Sequence, residues 1–264
     1  MAFTIIVKQK SLAKQKFLPW VVPVSLLLSW HLLSATGLLS AKTLPDPITV
    51  LKTATTLVQS GDLWKHLSVS TERAVIGLLI GGSIGFFLGL LTGVSSIADG
   101  LLDSSVQMFR TIPNLAMIPL VILWFGIGEE AKIFLIALGV FFPLYLNTYH
   151  GIKTIDPGLK EMGRVYGLRG WHLFRQVLFP GALPSILVGL RFALGSMWLT
   201  LIAAEALAAQ AGIGFMTTTA REFMQTDIVV VGTLLYALMG KLADVIARSL
   251  ERRLLLWHPN YQRG

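Results

Sequence analysis

Long apolar segments recur along this chain and restrict its fold more than any other feature. A helix needs about 20 mainly apolar residues to cross roughly 30 Å of hydrocarbon. Because a backbone in lipid must satisfy its hydrogen bonds internally, each such segment is expected to be helical. Six segments meet this length, at about 17–38, 74–97, 108–127, 132–151, 181–206 and 228–249. The sequence therefore predicts an all-α, polytopic membrane protein with six transmembrane helices.

Composition points to the same class of protein. Of 264 residues, 54% are hydrophobic and 14% are charged, with a mean hydropathy of +0.68, which is too apolar for an ordinary soluble domain. The first apolar segment is too long for a removed signal peptide and has no clear small-residue cleavage site. We expect it to stay in the lipid bilayer as an anchor.

Lys and Arg collect on one side of the six predicted spans, and an excess of these residues marks the cytoplasmic side. They are Lys8, Lys10, Lys14, Lys16, Arg110, Lys153, Lys160, Arg164, Arg169, Arg175, Arg248, Arg252, Arg253 and Arg263. The predicted parts are a cytoplasmic tail at 1–16, a transmembrane domain at 17–250 with a cytoplasmic loop at 153–180, and a cytoplasmic tail at 251–264. The net charge of +8 is largely this bias, so we predict no nucleic-acid partner.

The residue inventory argues against several kinds of chemistry. There is no cysteine, and the five histidines include no helix-spaced pair, so no metal site or cofactor is predicted. The phosphate-binding pattern of ATPases is missing, because Gly240-Lys241 is followed by Leu242 and not by a hydroxyl residue. A membrane enzyme would need a cluster of nucleophile, base or metal ligands, and none is visible. We therefore expect no enzymatic activity from this chain.

The loop at 153–180 carries apolar side chains at helical spacing, which an exposed connection does not need. Asp156 and Pro157 are typical of a helix start near residue 157. One face then carries Leu159, Met162, Gly163 and Tyr166. Gly167 is suited to a left-handed helix end. This pattern predicts a short amphipathic helix shaped to dock on a partner, although attachment of the basic loop to anionic lipid is an alternative.

A second short helix is predicted from Gly170 to Leu178. Its apolar stripe consists of Trp171, Phe174, Val177 and Leu178. We expect Pro180 to end this helix, because proline lacks the backbone donor and restricts the residue before it.

These residues resemble the coupling loop of the membrane subunits of bacterial ABC importers. The matching pattern is Glu161, Gly167 six positions later, an aliphatic pair and Pro180. The family usually has two alanines after the glutamate, whereas this chain has Met162-Gly163. Segments similar to the sulfonate, taurine and nitrate branch, most closely the aliphatic sulfonate permeases, are LPDP, GDLWKHL, RTIPNLAMIPLVILWFGIG, FFPLYLNTYHGI and REFMQTD.

The resemblance implies the type I importer permease fold in a bacterial inner membrane, with both termini cytoplasmic. It implies a cytoplasmic ATPase dimer, a second permease copy and a periplasmic substrate-binding protein as partners. The coupling residues would be Glu161, Met162, Gly163, Gly167, Trp171, Phe174 and Pro180. The expected substrates are aliphatic sulfonates, with taurine or nitrate as alternatives. An ATP-independent secondary transporter is a further alternative, but that class usually has internal repeats and its own ion sites.

Ionisable residues inside the predicted spans are candidates for the transport path, because each costs about 2.5 to 3.5 kcal/mol unless paired or wetted. Asp244 can neutralise Arg191 or Lys241, which would be a structural pairing. Alternatively, surplus positive charge faces the path and helps an anion to pass. Asn114 and Asn147 are neutral candidates for the path, or else helix-to-helix hydrogen bonds.

Three further patterns give predictions at the outer side and in the second span. Glu205, near the outer end, is expected to close a gate or to pair with Arg221. The stretch after LPDP predicts a short amphipathic helix, and 212–227 predicts a re-entrant or interfacial turn. Glycines recur every four residues and indicate either packing within the chain or a dimer or sliding surface. They are Gly77, Gly81, Gly85, Gly89 and Gly93.

Overall fold

A computed structural model describes residues 12–40 and 42–257, and every regular element in these ranges is helical, which confirms the all-α prediction. The helices are α1 (Leu12–Ala35), α2 (Pro47–Ser60), α3 (Asp62–Val94), α4 (Ser96–Ala98), α5 (Ser104–Arg110), α6 (Ile118–Phe125), α7 (Glu129–Lys153), α8 (Pro157–Val165), α9 (Gly170–Leu173), α10 (Phe179–Ala208), α11 (Ile213–Glu222) and α12 (Thr226–Leu254). Of the predicted tail cations, Lys8, Lys10 and Arg263 lie outside the described residues.

Four helical stretches are long and apolar enough to cross a membrane. They are Asp62–Val94, Glu129–Lys153, Gly170–Ala206 and Thr226–Leu254. A fifth span results if Ser96–Arg110 and Asn114–Phe125, which are bent by 87°, count together. The apolar part of α1, Trp20–Ala35, is shorter than a spanning helix. By length and composition the described residues give four or five spans, so the predicted count of six is not matched.

The break in the predicted span at 108–127 has a local cause. Pro113 has an extended backbone conformation, with φ −60° and ψ 125°. Because proline has no N–H to donate, α5 ends before it, and a 3-10 turn at Asn114–Met117 precedes α6. The apolar character of this stretch predicts a span, but the proline divides it.

The glycine stripe of α3 packs against α7 inside the chain. All five stripe glycines are buried. A Cβ at Gly81 would overlap the backbone of Ala137, and one at Gly89 would lie 2.7 Å from the Tyr145 carbonyl oxygen. Packing within the chain is therefore confirmed, and a dimer interface on this face is wrong, because α7 already occupies it. The alternative of a sliding surface stays a prediction.

The helices α3, α7 and α10 form the centre of the bundle. Ile136 and Val140 of α7 are buried against Met197, Trp198 and Leu201 of α10. The contacts among these apolar side chains hold α7 and α10 in a fixed position relative to each other. This shared core positions the cavity residues described below.

Two short helices, α2 and α11, cover the end of the bundle at which α3, α7 and α12 begin. Asp46 caps α2 by accepting from the Ile48 N–H at 3.0 Å. His31 Nδ1 lies 2.8 Å from the other carboxylate oxygen, and this hydrogen bond lowers the pKa of Asp46. Val50 packs with Val231 of α12, so the predicted amphipathic helix is confirmed. The stretch at 212–227 contains α11, which is too short to span and packs on α10 and α12.

Candidate functional site

The first helix of the loop at 153–180 begins where the sequence predicts. The Asp156 carboxylate accepts from the Gly158 N–H at 2.8 Å, and Pro157 is the first residue of α8. The side chain thus satisfies one of the free donors of the first turn, and the proline has no donor that needs a partner there.

Gly167 ends α8 in a left-handed conformation, as predicted, with φ +81°. Its N–H donates to the Arg164 carbonyl at 3.0 Å, and the Leu168 N–H donates to the Gly163 carbonyl at 2.9 Å. These two bonds define a Schellman motif. No atom lies within 4 Å of the place a Cβ would occupy. The backbone conformation alone therefore restricts this position.

Gly163 lies where the two loop helices touch. A Cβ on Gly163 would lie 2.8 Å from Leu173 Cδ1 and 3.2 Å from Val177 Cγ2. The neighbouring Met162 points outward and is half-exposed. A small residue is thus needed for packing only at Gly163, which accounts for the longer side chain at Met162.

Pro180 does not end the second helix, so this prediction is wrong. α9 continues through a π-helical turn at Phe174–Leu178 directly into α10. The Phe179 N–H donates to the Phe174 carbonyl five residues earlier. This turn is wider than an α-helical one and occurs just before the proline, where an ordinary turn would bring the ring against a carbonyl.

Five side chains form an exposed, mainly apolar surface on α8, its C-terminal turn and α9, which we call the docking surface. They are Leu159, Met162, Val165, Tyr166 and Trp171. Val165 is 85% exposed, Tyr166 79% and Trp171 66%. Trp171 stacks on the half-buried Phe174 at a centroid distance of 5.3 Å. Contiguous exposed patches of this kind mark interaction sites on proteins.

Glu161 is exposed beside the docking surface. The described part of the chain contains no hydrogen bond or ion pair from its carboxylate. Glu161, one of the predicted coupling residues, therefore makes no side-chain hydrogen bond or ion pair within these residues that would fix the shape of the loop. Its position leaves the carboxylate open to a partner.

Both ends of the loop are fixed to long helices. Ile155, just before α8, is buried with Ile152 of α7 and with Ala182 and Ile186 of α10. Lys153 Nζ pairs with Asp99 Oδ2 at 2.7 Å, which ties the end of α7 to the π-helical turn at Asp99–Asp103. A displacement of α8 would therefore act on α7 and α10 together.

A cavity of about 840 Å³ opens between α7, α10 and α12. Its polar lining includes Asn147, Arg191, Ser196 and Asp244. The Asn147 amide donates to the Pro143 carbonyl of its own helix at 2.8 Å. Three of the predicted path residues, Asn147, Arg191 and Asp244, thus share one cavity.

Asp244 is surrounded by cations. Arg191 Nε lies 2.8 Å from its carboxylate, Arg248 Nε 3.0 Å and Lys241 Nζ 3.7 Å. The predicted pairing of Asp244 with Arg191 and Lys241 is therefore confirmed. Because one carboxylate faces three cations, the cluster keeps two units of positive charge. Lys241 is not among the side chains that line the cavity.

The fifth predicted path residue, Asn114, lines a second cavity of about 470 Å³. Arg110 lies beside it, together with Gly139 and Thr200. The assignment of Arg110 to a cytoplasmic loop is corrected here. Helix resumes at Ser96, so the chain advances about 20 Å before Arg110, which then meets residues well inside α7 and α10.

An ionic network with Arg73 and Glu205 buried at its centre joins α3, α7, α10 and α11 at the end of the bundle where α3 and α7 begin. Arg73 Nε pairs with Glu129 at 2.6 Å and its Nη1 with Glu205 at 2.7 Å. Glu205 also accepts from Ser70 Oγ at 2.7 Å and from the Gly214 N–H at 2.8 Å. Glu205 is only 1% exposed. The expected pairing with Arg221 is therefore wrong, since Arg73 and Ser70 enclose this carboxylate.

Arg73 and Glu129 stand at the polar ends of apolar segments and look like loop charges in the sequence, so this network was not predicted. The available signal was that these opposite charges fall at the same end of their predicted spans. The partners are also far apart in sequence, since Arg73 and Glu205 are separated by 132 positions.

Two curated relatives and one solved structure resemble this chain closely enough to inform its identity. The aliphatic sulfonates transport permease protein SsuC of Escherichia coli is 58% identical over 243 residues, covering 92% of each chain. The protein of that name in Bacillus subtilis is 43% identical, covering 92% of this chain and 88% of its own.

A crystal structure of an amino acid ABC transporter superposes with a TM-score of 0.61 at 19% identity, covering 79% of this chain and 98% of that chain. This likeness shows the fold, that of type I ABC importer permeases. A family model described as binding-protein-dependent transport system inner membrane component matches residues 81–256. The chain therefore belongs to this family of inner-membrane transport components.

Proposed function

We propose that this chain is the transmembrane subunit of an ABC importer for aliphatic sulfonates. It lies in a bacterial inner membrane with both termini cytoplasmic. Two copies form the pathway, a periplasmic binding protein delivers the substrate, and a separate ATPase dimer hydrolyses ATP. The chain itself carries out no bond chemistry. The observation that carries this proposal is the exposed docking surface on a loop anchored to two long helices.

The docking surface suits a groove on a cytoplasmic ATPase subunit. Large exposed aromatic and aliphatic side chains, such as Tyr166 and Trp171, are typical anchors in protein interfaces. Glu161 contributes a charged hydrogen bond to the same partner. When the ATPase dimer closes, it displaces α8, and the packing of Ile155 passes this movement to α7 and α10 as rigid levers.

Gly163 and Gly167 keep the loop in the shape that docking requires. Gly163 brings α8 against α9, and Gly167 reverses the chain between them. Phe174 stacks against Trp171 and supports it. Pro180 follows the π-helical turn through which α9 continues into α10, so that these two helices move as one lever. All of these residues affect coupling, and none is required to bind the transported anion.

The route for the substrate follows the two cavities. Asn114 lines the cavity of about 470 Å³, which is nearer to the outer side and which we call the upper cavity. Asn147, Arg191 and Asp244 line the cavity of about 840 Å³, which we call the lower cavity. Lys241 does not line the lower cavity, but it pairs with Asp244 and so contributes to the positive charge of the cluster there. Sulfonates are permanent anions at neutral pH, so the surplus positive charge favours their passage. Both named relatives are sulfonate permeases, which supports sulfonates over taurine or nitrate and over a secondary transporter.

Reconstitution with the cognate ATPase and binding protein tests this function. We expect proteoliposomes to import ethanesulfonate only with ATP and binding protein, and excess taurine or nitrate to compete weakly. Import without the ATPase would support a secondary transporter instead. Preferred import of taurine or nitrate would overturn the substrate assignment while leaving the importer class intact.

Tyr166→Asp tests the docking surface in the same preparation. Burying an uncompensated charge at an interface anchor should weaken ATPase binding by about 2 kcal/mol or more, so the ATPase no longer co-elutes. Ile97→Asp is the matched control, because Ile97 is 77% exposed and lies outside the docking surface. Equal co-elution of the ATPase with both variants would contradict the proposed interface.

A further inference from the structure

Two arginines line the two cavities at different depths, and only Arg191 was predicted to lie on the transport path. We propose that Arg110 and Arg191 are successive binding sites for the sulfonate group of the substrate. This inference rests on the proposed function and extends it to individual side chains.

The two cavities are adjacent and share part of their lining. Pro143, Ser196 and Leu199 line both of them. The other lining residues belong to one cavity only. Arg110 and Asn114 line the cavity of about 470 Å³, and Arg191 lines the cavity of about 840 Å³. An anion that leaves one arginine therefore passes the Ser196 side chain before it reaches the next.

Distances along the helices show how far apart the sites are. On α7, the upper cavity is lined by Gly139 and the lower one by Asn147, eight residues further, which is about 12 Å of helix. On α10, Thr200 and Arg191 differ by about 13 Å in the same sense. Because this separation exceeds the length of a short alkanesulfonate, the substrate contacts one arginine at a time.

Arg191 can change partner without leaving a bare carboxylate. Arg248 and Lys241 hold Asp244 as well, so Asp244 stays neutralised when the Arg191 guanidinium turns to a sulfonate. The planar guanidinium donates two parallel hydrogen bonds to oxyanions of this type. Asp244 in turn recaptures Arg191 and releases the substrate, which keeps the site weak.

Arg110 is suited to receive an anion because it is exposed to its cavity and no described residue forms an ion pair or hydrogen bond with its guanidinium. Asn114, which also lines this cavity, is a neutral donor. An arginine in a membrane segment without a carboxylate partner marks an ion or substrate pathway by default. Two moderate sites in series also allow faster passage than one strong site.

Charge substitutions test the two sites in reconstituted vesicles. Arg110→Gln and Arg191→Gln should each raise the apparent KM for substrate-loaded binding protein, or lower uptake per ATP hydrolysed, by about tenfold, the effect of one charge-assisted hydrogen bond. Arg110→Lys should retain most uptake. Arg252→Gln is the matched control, because Arg252 is an exposed cation in the last turn of α12 and lines neither cavity.

Chemical restoration of charge separates a transport role from a purely structural one. The chain contains no cysteine, so Arg110→Cys introduces a single thiol into it. Reaction of this thiol with a cationic aminoethyl methanethiosulfonate should restore uptake, and ethanesulfonate should slow the reaction. The unmodified complex treated with the same reagent reports any effect on the other subunits.

Each outcome has a distinct meaning. If the unmodified complex imports ethanesulfonate and both glutamine variants match the Arg252→Gln control, the two arginine sites are overturned while the proposed function stands. If cationic modification of Arg110→Cys restores complex yield but not uptake, Arg110 is structural. If the unmodified complex imports no sulfonate, the proposed substrate is overturned and the sulfonate sites with it.

Discussion

At the scale of single residues, Glu205 shows how this bundle tolerates a charge that is buried between its helices. The carboxylate is enclosed by the Arg73 guanidinium, the Ser70 hydroxyl and the Gly214 N–H, and Tyr236 Oη lies 3.3 Å away. A Cβ at Gly214 would lie 2.5 Å from Glu205 Cβ, so the turn into α11 must bring its backbone close to the carboxylate. These contacts form together only when α3, α10, α11 and α12 are packed against one another.

Glu205→Gln should destabilise the protein strongly. The amide removes the charge opposite Arg73 and points a donor into a site already filled with donors. Breaking a buried ion pair costs about 3 to 5 kcal/mol, with Glu129 still holding Arg73. Thermal unfolding in detergent should occur at a clearly lower temperature. Glu222→Gln, at the exposed end of α11, is the control, and equal melting of both variants would contradict this account.

At the scale of secondary-structure elements, α3 and α7 make the closest helix contact in the bundle. The stripe of glycines removes side chains from the interface, so packing of backbone against backbone supplies the contact energy that lipid cannot. Adjacent glycines of α3 differ in this respect. Gly81 faces the Ala137 backbone, whereas a Cβ at Gly82 would lie 3.5 Å from Leu144 Cδ2, an ordinary contact.

Gly81→Ala and Gly82→Ala should therefore have opposite effects. The first forces α3 away from α7 and should lower stability by about 1 to 3 kcal/mol, as overpacking does. The second adds a methyl group in ordinary contact and should leave stability unchanged or slightly raised. Unfolding in sodium dodecyl sulfate, followed by circular dichroism, measures both. A larger loss for Gly82→Ala would show that the helices pack differently.

Features set by neighbouring residues were predictable at this scale. Asp156 and Pro157 start α8, Gly167 ends it, and the apolar periodicity of 47–58 gives α2. The approximate positions of the spans were also predictable from hydropathy, but the residues at which the helices begin and end were not. α3 begins at Asp62, well before the predicted residue 74, because its outer part is covered by α2 and α11 and no longer needs an apolar surface.

Features set by distant contacts were not predictable. The widened turn before Pro180 depends on hydrogen bonding that no residue type specifies. The Arg73 network and the place of Arg110 depend on which helices meet. Of the proposed path residues, Asp244 was paired correctly because Lys241 lies three positions before it on the same helix. Arg110 was misplaced because hydropathy places the start of this span at 108, whereas helix resumes at Ser96.

At the scale of the whole molecule, the two ends of the bundle differ in their contacts. One end is joined by the ionic network around Arg73 and Glu205, whereas the other, which we propose to be cytoplasmic, presents an exposed apolar surface between α7 and α10. In the proposed transport cycle the cytoplasmic end of the bundle moves, while the helices joined by the ionic network around Arg73 keep their positions. Arg191 and Asp244 lie between these ends, where a change in helix separation would alter their contact.

The central claim is that the loop at 157–178 transmits force from the ATPase to the spans. The most direct test is ATP hydrolysis stimulated by substrate-loaded binding protein in vesicles that contain Gly167→Val or Gly167→Asn. Valine is poorly tolerated at φ +81°, whereas asparagine adopts this region readily. The account predicts that the valine variant assembles but loses stimulation, while the asparagine variant keeps it. Full stimulation in the valine variant would contradict the claim.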